Sequence, residues 1–228
     1  MIREFGNAAE LAAALAGYVA TAIRERLQRD GKAAIALSGG ATPARFFRAL
    51  SAQELNWSAV TITLVDDRWV AATSPRSNAG LLRKNLLQGP AAAAIFLPLV
   101  SSAATPVQAR AATEDVIAAL PLPFAAVTLG MGLDGHTASF FPGGNRLADA
   151  LHPESGRLVE TMQSDAAIEP RITLTLPVLL AADSTAIHIE GAAKREALNA
   201  AMQTGSETDM PIRAVLARKP PPDIFWCP

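Results

Sequence analysis

The chain has 228 residues, of which half are apolar and 18% charged, with a formal net charge of −1. A chain of this length buries roughly 70% of its unfolded surface, and its near-neutral balance offers no basic face for nucleic acid. The single cysteine, Cys227, excludes a disulfide framework and a cysteine zinc cluster, which points to a reducing, cytoplasmic compartment.

In chain order, the first predicted helix runs from Ala8 to Gln28. It contains LAAALAGYVATAI, which imitates a signal core with an A-x-A ending at Ala22, but Glu4 and Glu10 offset Arg3 where a signal wants positive charge. An amphipathic helix is therefore expected. The strand AAIAL follows, then a helix from Pro43 to Ala52, the strand VTITLV, a helix from Ala79 to Leu87 and the strand AIFLPL. Next come a helix from Pro106 to Leu120, the strands AAVTL, RLVET and TAIHIE, and a helix from Ala192 to Met202. Pro220 to Pro222 read as a rigid lead into a last edge segment. The uncharged runs Gln88 to Ala109 and Val116 to Leu133 are broken by prolines and glycines, so no membrane span is expected. Such alternation predicts an α/β fold: a single domain over residues 1–228 with a largely parallel, Rossmann-like sheet flanked by helices on both faces.

Ligands of open sheets collect beyond the carboxyl ends of the strands, and four such places hold unusual residues. In AIALSGGATPARFFRAL a strand ends at Ser38, Gly39 and Gly40 follow, and Thr42 with Pro43 reads as an N-cap and first helical residue. The backbone N–H groups of Gly40 to Ala44, Pro43 excepted, are expected to line one concavity beside the hydroxyls of Ser38 and Thr42, suited to phosphate or carboxylate. An ordinary capped helix would be spelled the same way. No GxxxxGK[ST] is present, so a simple phosphoester suits the turn better than a nucleotide. In VTITLVDDRWV, strand alternation sends Asp66 and Arg68 to one side and Asp67 to the other; a solvated acidic turn is the alternative.

AAVTLGMGLDGHTASFFPGG formally satisfies GxGxxG through Gly130, Gly132 and Gly135. A dinucleotide site needs a full helix next, yet Pro142, Gly143 and Gly144 stop one within about two turns, and Asp134 would face the pyrophosphate. What remains is His136 on a tight turn at a strand's carboxyl end, followed by Thr137 and Ser139. His188 in TAIHIE, by contrast, reads as a structural histidine on a strand face. The fourth place is split between Arg171, opening a strand in EPRITLTL, and Lys194, in the first turn of a helix after Gly191. A cation there opposes the helix dipole unless an anion is present; each also reads as a surface charge.

The segments LSGGATP, DDRWV followed by SN, LGMGLDGHTASFFPG, PRITLTLP and GAAKREAL, spread over nearly the whole chain, resemble the 6-phosphogluconolactonases, which share a fold with the glucosamine-6-phosphate deaminases. The resemblance implies hydrolysis of 6-phospho-D-glucono-1,5-lactone to 6-phosphogluconate, a step of the pentose phosphate pathway. It further implies that Ser38, Gly39, Gly40, Thr42, Arg171 and Lys194 hold the phosphate, that Asp66 and Arg68 line the sugar site, and that His136 is the catalytic base. Asp134, Gly135 and Asn78 would support that site. Ala41 departs from the family's usual serine, and the C-terminal DIFWCP departs from its usual acidic and alanine ending.

A lactone is an activated ester, so deprotonated water and a sheltered oxyanion suffice. No GxSxG elbow is present and no motif surrounds the cysteine, so water itself is expected to attack. A histidine can take the water's proton and return it to the departing ring oxygen, while Arg68 or turn N–H groups face the carbonyl oxygen. The three histidines form no HExxH or comparable cluster, so no metal or other cofactor is called for. The only partner implied is the small sugar-phosphate lactone, without nucleic acid, membrane or an obligate protein partner. Three rivals stand: a deaminase or isomerase, whose glutamate seven residues past the motif aspartate is here Phe141; a non-catalytic sugar-phosphate sensor; and an NAD-dependent enzyme.

Overall fold

The structure, a computed structural model, describes residues 1–228 with the side chain of Ser155 excepted. Its elements are β1 (Ile2–Glu4), α1 (Ala8–Asp30), β2 (Ala33–Leu37), α2 (Ala44–Ser51), β3 (Val60–Leu64), β4 (Asp66–Arg68), α3 (Asn78–Asn85), β5 (Ile95–Phe96) and α4 (Pro106–Ala118). There follow β6 (Ala126–Leu129), α5 (Leu147–Leu151), β7 (Val159–Met162), β8 (Arg171–Leu174), α6 (Leu176–Leu180), β9 (Ser184–Glu190), α7 (Ala192–Ala201), α8 (Ile212–Leu216) and β10 (Asp223–Cys227).

The stretch that imitates a signal core is a capped helix packed into the protein. Asn7 accepts from the Ala9 and Glu10 amides at its start, and Gly31 closes it with φ 71°. Leu11, Leu15, Val19 and Ile23, spaced at four residues, are fully buried, each contributing roughly 1.5–3 kcal/mol by burial. No helix among the described residues is long and apolar enough to cross a membrane.

Seven strands form the main sheet in the order β1-β10-β9-β6-β2-β3-β5, and all its pairs are parallel. β2, AAIAL, is buried along its whole length, as expected of a strand covered on both faces. From β2 the chain winds outward through β3 and β5, then returns to place β6 on the other side of β2. The loops leaving β2 and β6 therefore diverge at a topological switch point, where a crevice must open.

Four expectations are corrected. The last segment is not at the edge, because β10 lies between β1 and β9. The short charged IRE at the N-terminus takes that place, its Arg3 and Glu4 exposed as an edge strand requires. AIFLPL shrinks to the two residues of β5, since Pro98 has no N–H for the ladder. RLVET contributes β7 to a second, antiparallel sheet, β4-β8-β7, rather than to the main one. Finally, α2 begins at Ala44 with Pro43 as its cap residue, and no side chain caps it, so Thr42 is not the N-cap.

The second sheet places DDR against the strand opened by Arg171. Asp66 pairs with Thr173, Asp67 with Ile172, and Arg68 lies directly opposite Arg171.

Candidate active site

The crevice at the switch point is a cavity of about 270 Å³. Its walls include every phosphate-site candidate named from the sequence (Ser38, Gly39, Gly40, Thr42, Arg171 and Lys194), together with Asp66, Arg68, Asn78 and His136. Asp134 and Gly135 stand behind His136 in the turn, outside the lining.

After β2, Gly40 turns the chain with φ 96°, a left-handed conformation suited to glycine. Its N–H is not open as expected, because it donates to Asn78 Oδ1 at 3.2 Å. The amides of Ala41 and Thr42 have no hydrogen-bond partner among the described residues. Gly39 presses on the Asn78 side chain so closely that a Cβ there would lie 2.1 Å from Asn78 Cγ. Gly39→Ala is accordingly expected to displace Asn78 and weaken sugar-phosphate binding by about 1–3 kcal/mol; calorimetry with 6-phosphogluconate checks this.

Asn78 joins the two loops. Besides Gly40, its Oδ1 accepts from Arg68 Nη1 at 3.0 Å, and its Nδ2 donates to the Asp66 carbonyl at 3.0 Å. Arg68 Nη1 also reaches the Arg76 carbonyl at 2.6 Å, while its Nε is buried without a partner among the described residues.

The alternation expected in β4 is found: Asp66 and Arg68 line the cavity, and Asp67 faces away. Asp67 is wholly buried and accepts from three amides, those of Arg68, Asn78 and Ala79, at 2.8, 2.8 and 3.0 Å. It ties the end of β4 to the start of α3, a role that DDR alone did not reveal. Burial pushes its carboxyl up to about 6, against the pull of those amides. Because the folded value exceeds the unfolded one, its ionisation costs stability above pH 6, and that cost is relieved as pH falls toward 4. Relative to Asp67→Asn, the parent is therefore expected to gain about 1.4 kcal/mol between pH 7 and pH 5, measurable by urea unfolding at both values.

Asp66 is buried, its Oδ2 accepting from Ser139 Oγ at 2.5 Å with Arg171 Nη1 at 3.8 Å. Arg171 is likewise buried, and its Nε has no partner among the described residues. Burial draws the guanidinium below its ordinary value, with the Asp66 carboxylate opposing. Lys194 donates to the Met131 carbonyl. Burial also lowers its amine, with Asp134 opposing. Two desolvated cations and two unpartnered guanidinium N–H groups make a wall that an anion would complete.

After β6 the chain makes a tight turn in which the Gly132 amide donates to the His136 carbonyl at 2.8 Å and the Gly135 amide to the Gly132 carbonyl at 3.1 Å. No helix follows until α5, so no helix N-terminus faces these glycines and the dinucleotide reading lapses. Asp134 Oδ1 lies 2.6 Å from His136 Nδ1 and also accepts the His136 amide at 3.1 Å. The hydrogen bond from His136 holds the Asp134 carboxyl below its usual value. With Nδ1–H donated to the carboxylate, Nε2 carries the lone pair. Gly132 leaves room for this pair, since a Cβ there would sit 2.2 Å from His136 Nδ1.

Sequence reasoning missed the parts played by Asp67 and Ser139 and the place of His188. The last lines the cavity at the carboxyl end of β9, with Nε2 3.0 Å from Glu190 Oε1. A strand end, rather than a strand face, was the signal available for it. Among the described residues no group of three or more His, Cys, Asp or Glu is placed to hold a metal ion.

Open donors gathered around a carboxylate-held histidine, at the switch point of a parallel sheet, define an α/β enzyme site for a small anionic substrate. The chain belongs to the family of glucosamine-6-phosphate isomerases/6-phosphogluconolactonase, whose model matches residues 6–226. It is 48% identical to a 6-phosphogluconolactonase of Rhizobium meliloti over 98% of this chain and 97% of that one. It is 40% identical to one from Pseudomonas aeruginosa, over 100% and 94%. The crystal structure of a 6-phosphogluconolactonase from Shewanella baltica superposes with a TM-score of 0.97 at 35% identity, covering 100% of this chain and 97% of that one.

Proposed function

We propose that this chain, a single domain over residues 1–228, hydrolyses 6-phospho-D-glucono-1,5-lactone to 6-phosphogluconate in the cytoplasm, with His136 as general base toward water. The observation that carries the reading is the Asp134 and His136 pair, held at 2.6 Å, whose His136 lines the same cavity as Arg171 and Lys194. The names of the relatives support the substrate.

In this mechanism the phosphate rests against Arg171, Lys194, Ser38, Thr42 and the open amides of the turn after β2, fixing the lactone in register. His136 Nε2 takes a proton from water as the oxygen attacks the lactone carbonyl, and Asp134 steadies the imidazolium that forms. Arg68 faces the carbonyl oxygen as it becomes negative. The tetrahedral adduct then collapses with the ring C–O bond breaking, and His136 returns the proton to the departing ring oxygen. Asp66, engaged by Ser139, balances the charge of Arg171 and orients the sugar. Cys227 is buried in β10, outside the cavity lining, and takes no part.

Acid release from 6-phosphogluconolactone, followed beside ammonia release from glucosamine 6-phosphate and binding of NAD, tests the assignment. Ammonia release without acid release would move the chain to the deaminase reading; phosphate-ligand binding with neither activity would make it a sensor.

A further inference from the structure

We propose that Phe141 is a positioning residue that sets the directions of both His136 and Arg171, an inference resting on the roles just given to those two side chains. The ring of Phe141 lies 4.6 Å from the His136 ring, centroid to centroid, with the planes at 38°. The guanidinium carbon of Arg171 stands 5.3 Å from the same Phe141 centroid. Phe141 is only 3% exposed and is not part of the cavity wall. It touches no substrate; it supports two groups that do.

Each of those groups lacks another sufficient constraint. Asp134 pins His136 at Nδ1 alone, and an imidazole held at one atom can still swing its Nε2 through an arc. A packed aromatic face on one side closes part of that arc. Arg171 has its carboxylate neighbour at 3.8 Å, beyond hydrogen-bond length, and its Nε is unpartnered. A guanidinium resting on an aromatic face keeps its N–H edge available for an anion. Phe141 is itself held, its carbonyl accepting the Gly144 amide at 2.9 Å while the preceding Phe140 bridges back to Thr137. One ring thus registers the proton-accepting nitrogen against the phosphate ligand, the spacing that a substrate bound at both ends must match.

The test compares Phe141→Leu, which keeps an apolar filler, with Phe141→Tyr, which keeps the ring; Phe141→Met replaces the leucine variant if that one does not fold. In the parent the ring current of Phe141 shifts the His136 ring proton signals, and the leucine variant loses that shift. Turnover on the phosphorylated lactone is expected to fall on the order of tenfold in the leucine variant, and inhibition by inorganic phosphate to weaken about fivefold. The tyrosine variant stays within about twofold of the parent on both. A leucine variant within about twofold of the parent on both measures, or equal losses in the leucine and tyrosine variants, would overturn the proposal. Should the parent itself not open the lactone, the catalytic reading falls, while the proton shift and the binding of inorganic phosphate measured by calorimetry still decide whether Phe141 orients its two neighbours.

Discussion

His136→Ala is expected to lower turnover by about 10²- to 10⁴-fold while 6-phosphogluconate still binds with parental affinity. The split follows from the geometry. His136 contacts Asp134 and Phe141, whereas the donors assigned to the phosphate lie on the turn after β2, on β8 and on α7. Loss of the imidazole removes the proton acceptor and leaves the anion wall intact. Spontaneous lactone opening must be subtracted, because that background would mask a large loss. Thermal unfolding is measured alongside, since the ring also fills space over Gly132. A folded variant that binds product normally and hydrolyses within about threefold of the parent would remove His136 as the base.

Arg171→Ala is expected to weaken binding of the phosphorylated lactone by about 1.5–3 kcal/mol, seen chiefly in KM, through lost charge-assisted hydrogen bonds. A second cost falls on the protein itself. Asp66, 4% exposed, loses its cationic neighbour and keeps only Ser139 at its Oδ2, so the variant also unfolds at a lower temperature. Arg171→Lys restores the charge but not the planar fork, and recovers only part of the affinity. The discriminating measurement uses unphosphorylated gluconolactone, on which parent and alanine variant should be equally poor. Equal proportional losses on both lactones would mean that Arg171 does not read the phosphate.

Much of this site was legible because its residues stand where strands end. SGG after AAIAL, DGH after AAVTL and DDR after VTITL each close an apolar run, and in a parallel sheet such ends converge. Long periodic segments such as α1 were equally plain. Partners distant in sequence were not. Nothing in DDR says that Asp67 receives amides from residues 78 and 79, nor that Ser139 answers Asp66 across 73 residues. The second sheet escaped for a related reason: RLVET, DDR and the strand opened by Arg171 were each read as extended, but with three or four residues apiece they carry no sign of which strands they pair with. The edge role of IRE was hidden by its charge, which marks an edge only once the order of the strands is known.

Arg68 and Arg171 sit directly across from one another in that small sheet. Like charges in opposed positions repel, and here no carboxylate reaches either unpartnered Nε. The Asp66 carboxylate, 3.8 Å from Arg171 Nη1, offsets that repulsion on one side, and a bound phosphate ester adds a second counter-charge, making the ligand a counterion for the fold as well as cargo for the site. Ligand occupancy and resistance to heat are then a single equilibrium, with the melting temperature rising with anion concentration relative to its dissociation constant. A preparation kept in phosphate buffer will seem sturdier than one kept in chloride, and the difference will report how tightly the site holds phosphate.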